Sequence, residues 1–350
     1  MKRSLSIAAI ILLSLLLTAC LASDARTSEP GVSTIEKQPT TTELTRLDVC
    51  YSSKSPTQES NWYALEKGIY EKYGLDVNLI SVNGGSKAAA ALISGDVDIC
   101  TMASPGMTNA VVAGEDLVMT VSFYVRNIYD IVVDPDISGP DDLRGKTVAA
   151  GLSGGAQDTM GRIGLKSIGL TPDQDVNMLA LEEESQKVAA LDSHRVAGVV
   201  VHPPTTYILV EKGYKILLKL STLDVAYQGA GVVTRRSFIQ DHRDVVLRFN
   251  KAILESIQRM KKDQAGTIEV MAKYLDYDLH ADQHILELTY QDYILENLQN
   301  DPIPSMAGFQ AVLDEAAIEN PNAVNVHPAD LVDLSILDEL KSSGFLQTIQ

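Results

Sequence analysis

Three stretches of small residues are placed to hold a solute with backbone chemistry. Gly84-Gly85-Ser86, Met102-Ala103-Ser104-Pro105 and Gly151-Leu152-Ser153-Gly154-Gly155-Ala156 each border an apolar, strand-like run and a helical one. A helix start carries free N–H groups and the positive end of the aligned peptide dipoles, so it takes up an acceptor or an anion without a charged side chain. Small residues there let a ligand approach the main chain. The candidate ligand-binding set from these turns is Gly85, Ser86, Ser104, Ser153, Gly154, Gly155 and Ala156, with Asp158 at the start of the last helix.

Other chemistries are less well supplied. A nucleotide-phosphate loop needs a lysine after its glycines, and no Gly-Lys-Ser/Thr follows Gly155. A hydrolytic nucleophile would need a serine served by His194 or His202. Cys-x-x-Cys is absent, and neither a metal site nor a cofactor is expected.

The elements that must position the turns follow from periodicity. Tyr63, Glu66 and Tyr70 fall at helical spacing before Gly74, and Leu75, Val77 and Leu79 then alternate as a half-buried strand does. An alanine-rich helix runs from Gly84 to Gly95, and Val97–Cys100 forms the next strand. Arg46–Ser52 begins the sheet, and Leu117–Phe123 extends it. Further strands are read near Thr147–Ala150, Asn177–Leu181, Val196–Val201, Lys215–Leu220 and Ala226–Thr234. From Asp241 onward the chain is helical, with Val245, Phe249, Ile253 and Ile257 marking one buried face. In an open parallel sheet, the loops at the carboxyl ends of the strands share one crevice, so the small-residue turns converge. Glu182-Glu183-Glu184 is expected to be a solvated helix start, where the dipole favours acids.

The runs ALEKGIYEKYGLDVNL (64–79) and GGSKAAAALISGDVDI (84–99) carry a family resemblance, continued by Asp141–Val148 and by Gly164-Leu165 to Gly169-Leu170-Thr171-Pro172. The chain resembles the nitrate/sulfonate/taurine and thiamine-pyrimidine type of ABC-transporter substrate-binding protein. That resemblance implies an α/β, two-lobed periplasmic-binding-protein type II fold, with two mixed, mostly parallel sheets flanked by helices. Two crossing segments, near Tyr124–Asn127 and Leu223–Gln228, would form the hinge. Lobe 1 would comprise residues 46–126 and 229–350, and lobe 2 residues 127–228. The family also places ligand contacts in the loop after the first strand and at the start of its helix, here Ser53, Asn61 and Trp62. His202, at a strand end, and Tyr227 and Gln228, on the return crossing, are expected beside the cleft. Trp62 has two readings, a stacking platform for a planar ligand or a helix-packing residue beneath the loop.

Met1-Lys2-Arg3 precedes an apolar run from Ile7 to Leu17, too short for a comfortable membrane span. It ends in Leu17-Thr18-Ala19-Cys20, which is similar to the bacterial lipobox. Residues 1–19 are therefore expected to be a lipoprotein signal peptide, Cys20 the lipidated residue, and 20–45 a flexible tether rich in Ser, Thr, Pro and charge. The expected location is the extracytoplasmic face of the cell membrane, and the expected partners are the permease and ATPase subunits of an ABC importer. A formal charge of −17 argues against nucleic acid, since phosphate contacts need clustered Lys and Arg. A monomer is expected. Asp48-Val49-Cys50 mirrors Asp98-Ile99-Cys100, and both a bond between these cysteines and two separate buried thiols fit that pattern.

The solute follows from the balance of side chains assigned to the cleft. Cations are few, Lys54 and Arg126, against Asp158 and Glu182 to Glu184. Flat and neutral groups are more plentiful: Tyr51, Trp62, Tyr63 and Tyr227, with Asn61, Asn83, Gln157 and Gln228. This set favours an uncharged heteroaromatic nutrient, riboflavin or a thiamine-pyrimidine precursor. The alternative is an anion of the sulfonate, taurine or nitrate type. A second alternative is a periplasmic-fold enzyme or sensor.

Overall fold

A computed structural model of the protein describes residues 43–349, so the signal peptide, Cys20 and nearly all of the tether lie outside the described residues. Strand β1 (Thr45–Tyr51) buries Leu47 and Val49 on one side and Cys50 on the other, as a central parallel strand covered on both faces does. Helices α1 (Glu59–Glu66) and α2 (Ile69–Lys72) lead to β2 (Leu75–Ser81). Next, α3 (Gly85–Ser94) leads to β3 (Ile99–Ala103), and α4 (Ser104–Val112) to β4 (Leu117–Ser122).

The chain then crosses and builds a second sheet. Its elements are β5 (Asp130–Val133), β6 (Thr147–Ala150), α5 (Ala156–Ser167), β7 (Asn177–Ala180), α6 (Glu184–Asp192), β8 (Gly198–Val201), α7 (Thr205–Glu211) and β9 (Lys215–Lys219). Strand β10 (Ala230–Arg235) returns to the first sheet. Sheet order is β2-β1-β3-β10-β4 in the first lobe and β7-β6-β8-β5-β9 in the second. Both strands that follow a crossing run against their neighbours: β10 is antiparallel to β3 and β4, and β5 to β8 and β9. All other pairs are parallel.

In the β1–β3 pair, Cys50 lies directly opposite Cys100, and the two form a disulfide. The bond ties together the two strands whose ends feed the loop at Ser52 and the turn at Ala103. The crossing segments also touch: Gly229 N–H donates to the Tyr124 carbonyl at 2.8 Å. A Cβ on Gly229 would stand 2.8 Å from that same oxygen, so only glycine fits there.

Helices α8 (Arg236–Asp241), α9 (Arg243–Met260), α10 (Gln264–Leu275), α11 (Gln283–Tyr290), α12 (Met306–Glu319), α13 (Ser335–Ser342) and α14 (Phe345–Thr348) complete the chain. Phe249, Ile253 and Ile257 are buried on α9 as the four-residue spacing predicts, joined by Val246, whereas Val245 is only half-buried. Helix α11 continues as a π-helical turn, Gln291–Asn297. The C-terminal region does not pack on the first lobe alone. Phe309 and Leu313 of α12 join the first lobe's core, while Val312 packs with the core of the second.

Candidate functional site

Between the two sheets lies a cleft of about 590 Å³, within the usual range for small-molecule sites. The first lobe supplies the loop Ser52–Ser55, Thr57 and Gln58, then Asn83–Lys87, Ala103 and Gly106. The second supplies Gly151–Ser153, Gly155–Gln157, Glu182–Ser185, His202, Pro204 and Thr205. Tyr124, Arg126, Ile128, Tyr129, Tyr227 and Gly229 line it from the crossings, and Leu275–Tyr277 from the end of α10.

The local fold explains why main-chain donors are available there. Helix α3 starts at Gly84 and α5 at Gly155, and neither cap residue has a side chain that could occupy the first-turn N–H groups. The two starts belong to opposite lobes. Helix α4 is drawn against α3 by a backbone contact: a Cβ on Gly106 would lie 2.5 Å from the Gly85 carbonyl carbon. Side chains bridge the lobes at the rims. Asn83 donates to Glu183 at 2.6 Å, Lys87 meets Glu182 at 2.8 Å, and Asn109 donates to the Gly154 carbonyl at 3.3 Å.

The charges at the site are largely paired. Lys54 bonds Asp276 at 2.9 Å, which raises its pKa, and Lys87 is paired as above. Lys187 has no exposed surface and donates to Glu184 Oε1 at 2.7 Å and to Gln157 Oε1. Burial opposes ionisation of Glu184, but Lys187, His202 and the hydrogen bonds from Lys187 and Gln157 outweigh it and hold the carboxyl below the usual range. The three glutamates form the helix start expected from sequence, and Glu183 is exposed, but Glu182 and Glu184 are half-buried rather than solvated. All three line the cleft, because α6 begins at its wall. Arg126 is exposed and makes no ion pair or side-chain hydrogen bond among the described residues.

The structure gathers some of the expected residues and sets others aside. Ser53, Gly85, Ser86, Ser153, Gly155, Ala156, His202 and Tyr227 all line the cleft. Asn61 does not: it is fully buried, donating to Thr101 Oγ1 and accepting from Tyr70 Oη at 2.9 Å. Trp62 also lies in the core, stacked on Tyr274 at 5.0 Å between ring centroids and edge-on to Tyr51, so its packing reading is the one its position fits. Ser104 is spent on the Gln228 carbonyl. Gln228 itself is buried, bonding Ser122 Oγ at 2.7 Å and the Ser305 N–H at 2.6 Å. Gly154 turns its N–H to Asp158 at 3.0 Å, and Asp158 also pairs with Arg162, which removes both from the lining.

The aromatic supply thus differs from the one read in sequence. In place of Tyr51, Trp62 and Tyr63, the cleft has Tyr124, Tyr129 and Tyr277 beside Tyr227. Tyr277 follows α10, far from the other lining residues in sequence, and no spacing could have found it.

Two motifs have the spacing of catalytic or metal sites without the geometry. Gly151-Leu152-Ser153-Gly154-Gly155 has the Gly-x-Ser-x-Gly spacing of a hydrolase nucleophile turn and sits between a strand and a helix. Ser153 lacks the left-handed backbone strain of such a turn, and its hydroxyl donates to Glu319 at 3.4 Å. His202 Nδ1 is taken by the Pro203 carbonyl at 2.8 Å, and its Nε2 lies 3.8 Å from Glu184 rather than against Ser153. His280 and His284 are spaced as a helical metal clamp would be, but both are exposed and α11 starts only at Gln283. Among the described residues no group of three or more His, Cys, Asp or Glu is placed to hold a metal, and no helix is long and apolar enough to cross a membrane.

Comparison with known proteins agrees with this architecture. A binding protein of Bacillus subtilis (strain 168), so named only in provisional terms as YtlA, is 22% identical over 255 residues, covering 71% of this chain and 76% of its own length. A Brachyspira hyodysenteriae protein provisionally named as an ABC-transporter periplasmic binding protein is 23% identical over 218 residues, 57% of this chain and 61% of that one. Among solved structures, the alkanesulfonate-binding protein SsuA from Xanthomonas axonopodis pv. citri, bound to MOPS, superposes with TM-score 0.68 at 19% identity, covering 83% of this chain and 99% of that one. The periplasmic nitrate-binding protein NrtA from Synechocystis PCC 6803 gives TM-score 0.67 at 17% identity, with 86% and 89% covered. These likenesses show the two-lobed periplasmic-binding fold. Residues 60–266 match the NMT1/THI5-like family over more than half of the chain. With that match and with two mixed sheets walling one cleft, the chain belongs to the NMT1/THI5-like family and has its type II periplasmic-binding fold.

Proposed function

We propose that this protein is the solute-binding component of an ABC importer, capturing a small planar nitrogen heterocycle between its lobes and delivering it to the permease and ATPase subunits. The observation that carries this reading is the composition of the cleft wall. Four tyrosines and a dozen neutral hydrogen-bonding groups line it, three glutamates face it, and its cations are paired apart from Arg126. Aromatic faces take a flat ring, while hydroxyls, amides and helix N–H groups take its edge heteroatoms. Within the family's range that describes a thiamine-pyrimidine precursor or riboflavin. Lipidation at Cys20 would hold the protein at the extracytoplasmic face of the membrane, and Cys20→Ser should release it from the membrane fraction.

A second reading has its own support. The uncapped starts of α3 and α5 and the free Arg126 suit a sulfonate or nitrate, the solutes named for two of the fold neighbours. A thermal-shift screen decides between them, because a solute that binds only the native state raises its unfolding temperature. Stabilisation by an aminopyrimidine or by riboflavin, with none by taurine or nitrate, is the expected result. The reverse pattern would replace the heterocycle with an anion.

A further inference from the structure

We propose that Glu184 sets solute specificity: its unshared carboxylate oxygen takes an N–H donor, so the cleft selects solutes with an amino or lactam N–H and rejects those offering acceptors alone. This rests on the reading of the cleft as the solute site. Glu184 opens α6 and lines the second lobe's wall. Its Oε1 is fully engaged, accepting from Lys187 Nζ at 2.7 Å and from Gln157 Nε2, with His202 Nε2 at 3.8 Å. Its Oε2 is shielded from the surface and has no partner among the described residues. A buried carboxylate oxygen without a donor is costly, and the missing complement is an N–H or O–H group.

Tyr227 holds a second orphan on a cleft-lining residue. Tyr227 is 2% exposed, lines the cleft, and has a hydroxyl with no partner among the described residues. A phenol donates or accepts, so it adapts to whichever edge atom it meets. Glu184 does not adapt, because Lys187 and His202 keep it ionised. Tyr129 and Tyr277 line the same cleft, and burial first and then the Glu184 charge push their phenol pKa values up. An amino-substituted ring nitrogen or a lactam edge offers the donor that Glu184 lacks, with an acceptor beside it. Nitrate or a sulfonate without an amino group offers no donor and sets its charge against an ionised carboxylate.

The test uses the full-length protein and three matched pairs of probes: the aminopyrimidine thiamine precursor and its dimethylamino analogue, riboflavin and its ring-N-methylated form, and taurine and ethanesulfonate. Calorimetric titration should show the N–H member of whichever pair binds to be tighter by at least about tenfold. Glu184→Gln, whose amide offers a donor as readily as an acceptor, should shrink that ratio towards one while unfolding stays cooperative. A ratio unchanged in Glu184→Gln would mean that the added methyl groups merely collide, and the inference falls. Taurine bound in preference to ethanesulfonate, with neither heterocycle bound, keeps the role of Glu184 and removes the heterocycle. A heterocycle bound as tightly as its methylated partner does the opposite. Tight binding of ethanesulfonate, or binding of none of the six, overturns both.

Discussion

Lys187 offers the sharpest test of how the cleft wall is held. It is a fully buried ammonium whose partners are Glu184 and Gln157. Lys187→Met keeps most of the side-chain volume but leaves the carboxylate of Glu184 without its counter-charge. Breaking a buried ion pair from one side costs about 3–5 kcal/mol. Glu184 retains 24% side-chain exposure, so water can solvate part of the stranded charge, and about 2–4 kcal/mol is the expected loss. At about 1.5 °C per kcal/mol for a folded chain of this size, the unfolding temperature should fall by roughly 3–6 °C at neutral pH. The pH dependence gives the sign. A carboxyl held below its unfolded pKa contributes stability above that value and loses it as pH falls through the folded one. The deficit of Lys187→Met should therefore be full at neutral pH and shrink in acid, as the stranded carboxyl takes up a proton. Adding Glu184→Gln should recover much of it, a coupling that a double-mutant cycle measures. Unfolding of Lys187→Met at the wild-type temperature, or a deficit that Glu184→Gln leaves unchanged, would refute the reasoning.

Three further outcomes are expected. Burial pushes the Asp130 carboxyl up to about 7, so the native state favours its protonated form and this contribution to stability is lost as pH rises from the ordinary carboxylate range to that value; Asp130→Asn should flatten the decline in unfolding temperature between about pH 4 and pH 7, and an unchanged slope there would argue against it. Replacing Cys50 and Cys100 together by alanine removes a bond across 50 residues, which should lower stability by about 2–4 kcal/mol in chemical denaturation and make the variant indifferent to reductant. Trp62→Ala should cost about 3–5 kcal/mol of stability while leaving solute affinity within about twofold, the pattern of a packing residue, and a selective loss of affinity would return Trp62 to the site.

Much of the fold was legible because its signals are local. Alternation in Leu47–Tyr51 and Leu75–Leu79 and the glycines at 74, 84 and 95 each state a backbone requirement that the strands and helix ends meet. The mirrored cysteines were legible as neighbours but not as a bond, since side-by-side register permits either state. Polar residues near the turns were harder. Asn61, Ser104, Asp158 and Gln228 have the right chemistry for a ligand, but each is consumed by protein partners that become visible only when distant segments meet. The converse case is Glu182 and Glu184, half-buried beside the exposed cap residue Glu183. A run of acids at a helix start reads as solvated, and only the approach of Asn83 and Lys87 from the other lobe turns it into a cleft wall. Tyr124 was legible only as part of a crossing, and Tyr277 only as the tail of a helix.

The central claim is that one solute is gripped by both lobes at once, and a crystal structure at saturating solute tests it most directly. The expected result is density for a planar, nitrogen-bearing molecule in the cleft, in contact with Gly85 or Ser86 on one side and with Gly155, Ala156 or Glu184 on the other. A solute seated on one lobe alone, or outside the space between the crossings, would contradict the account.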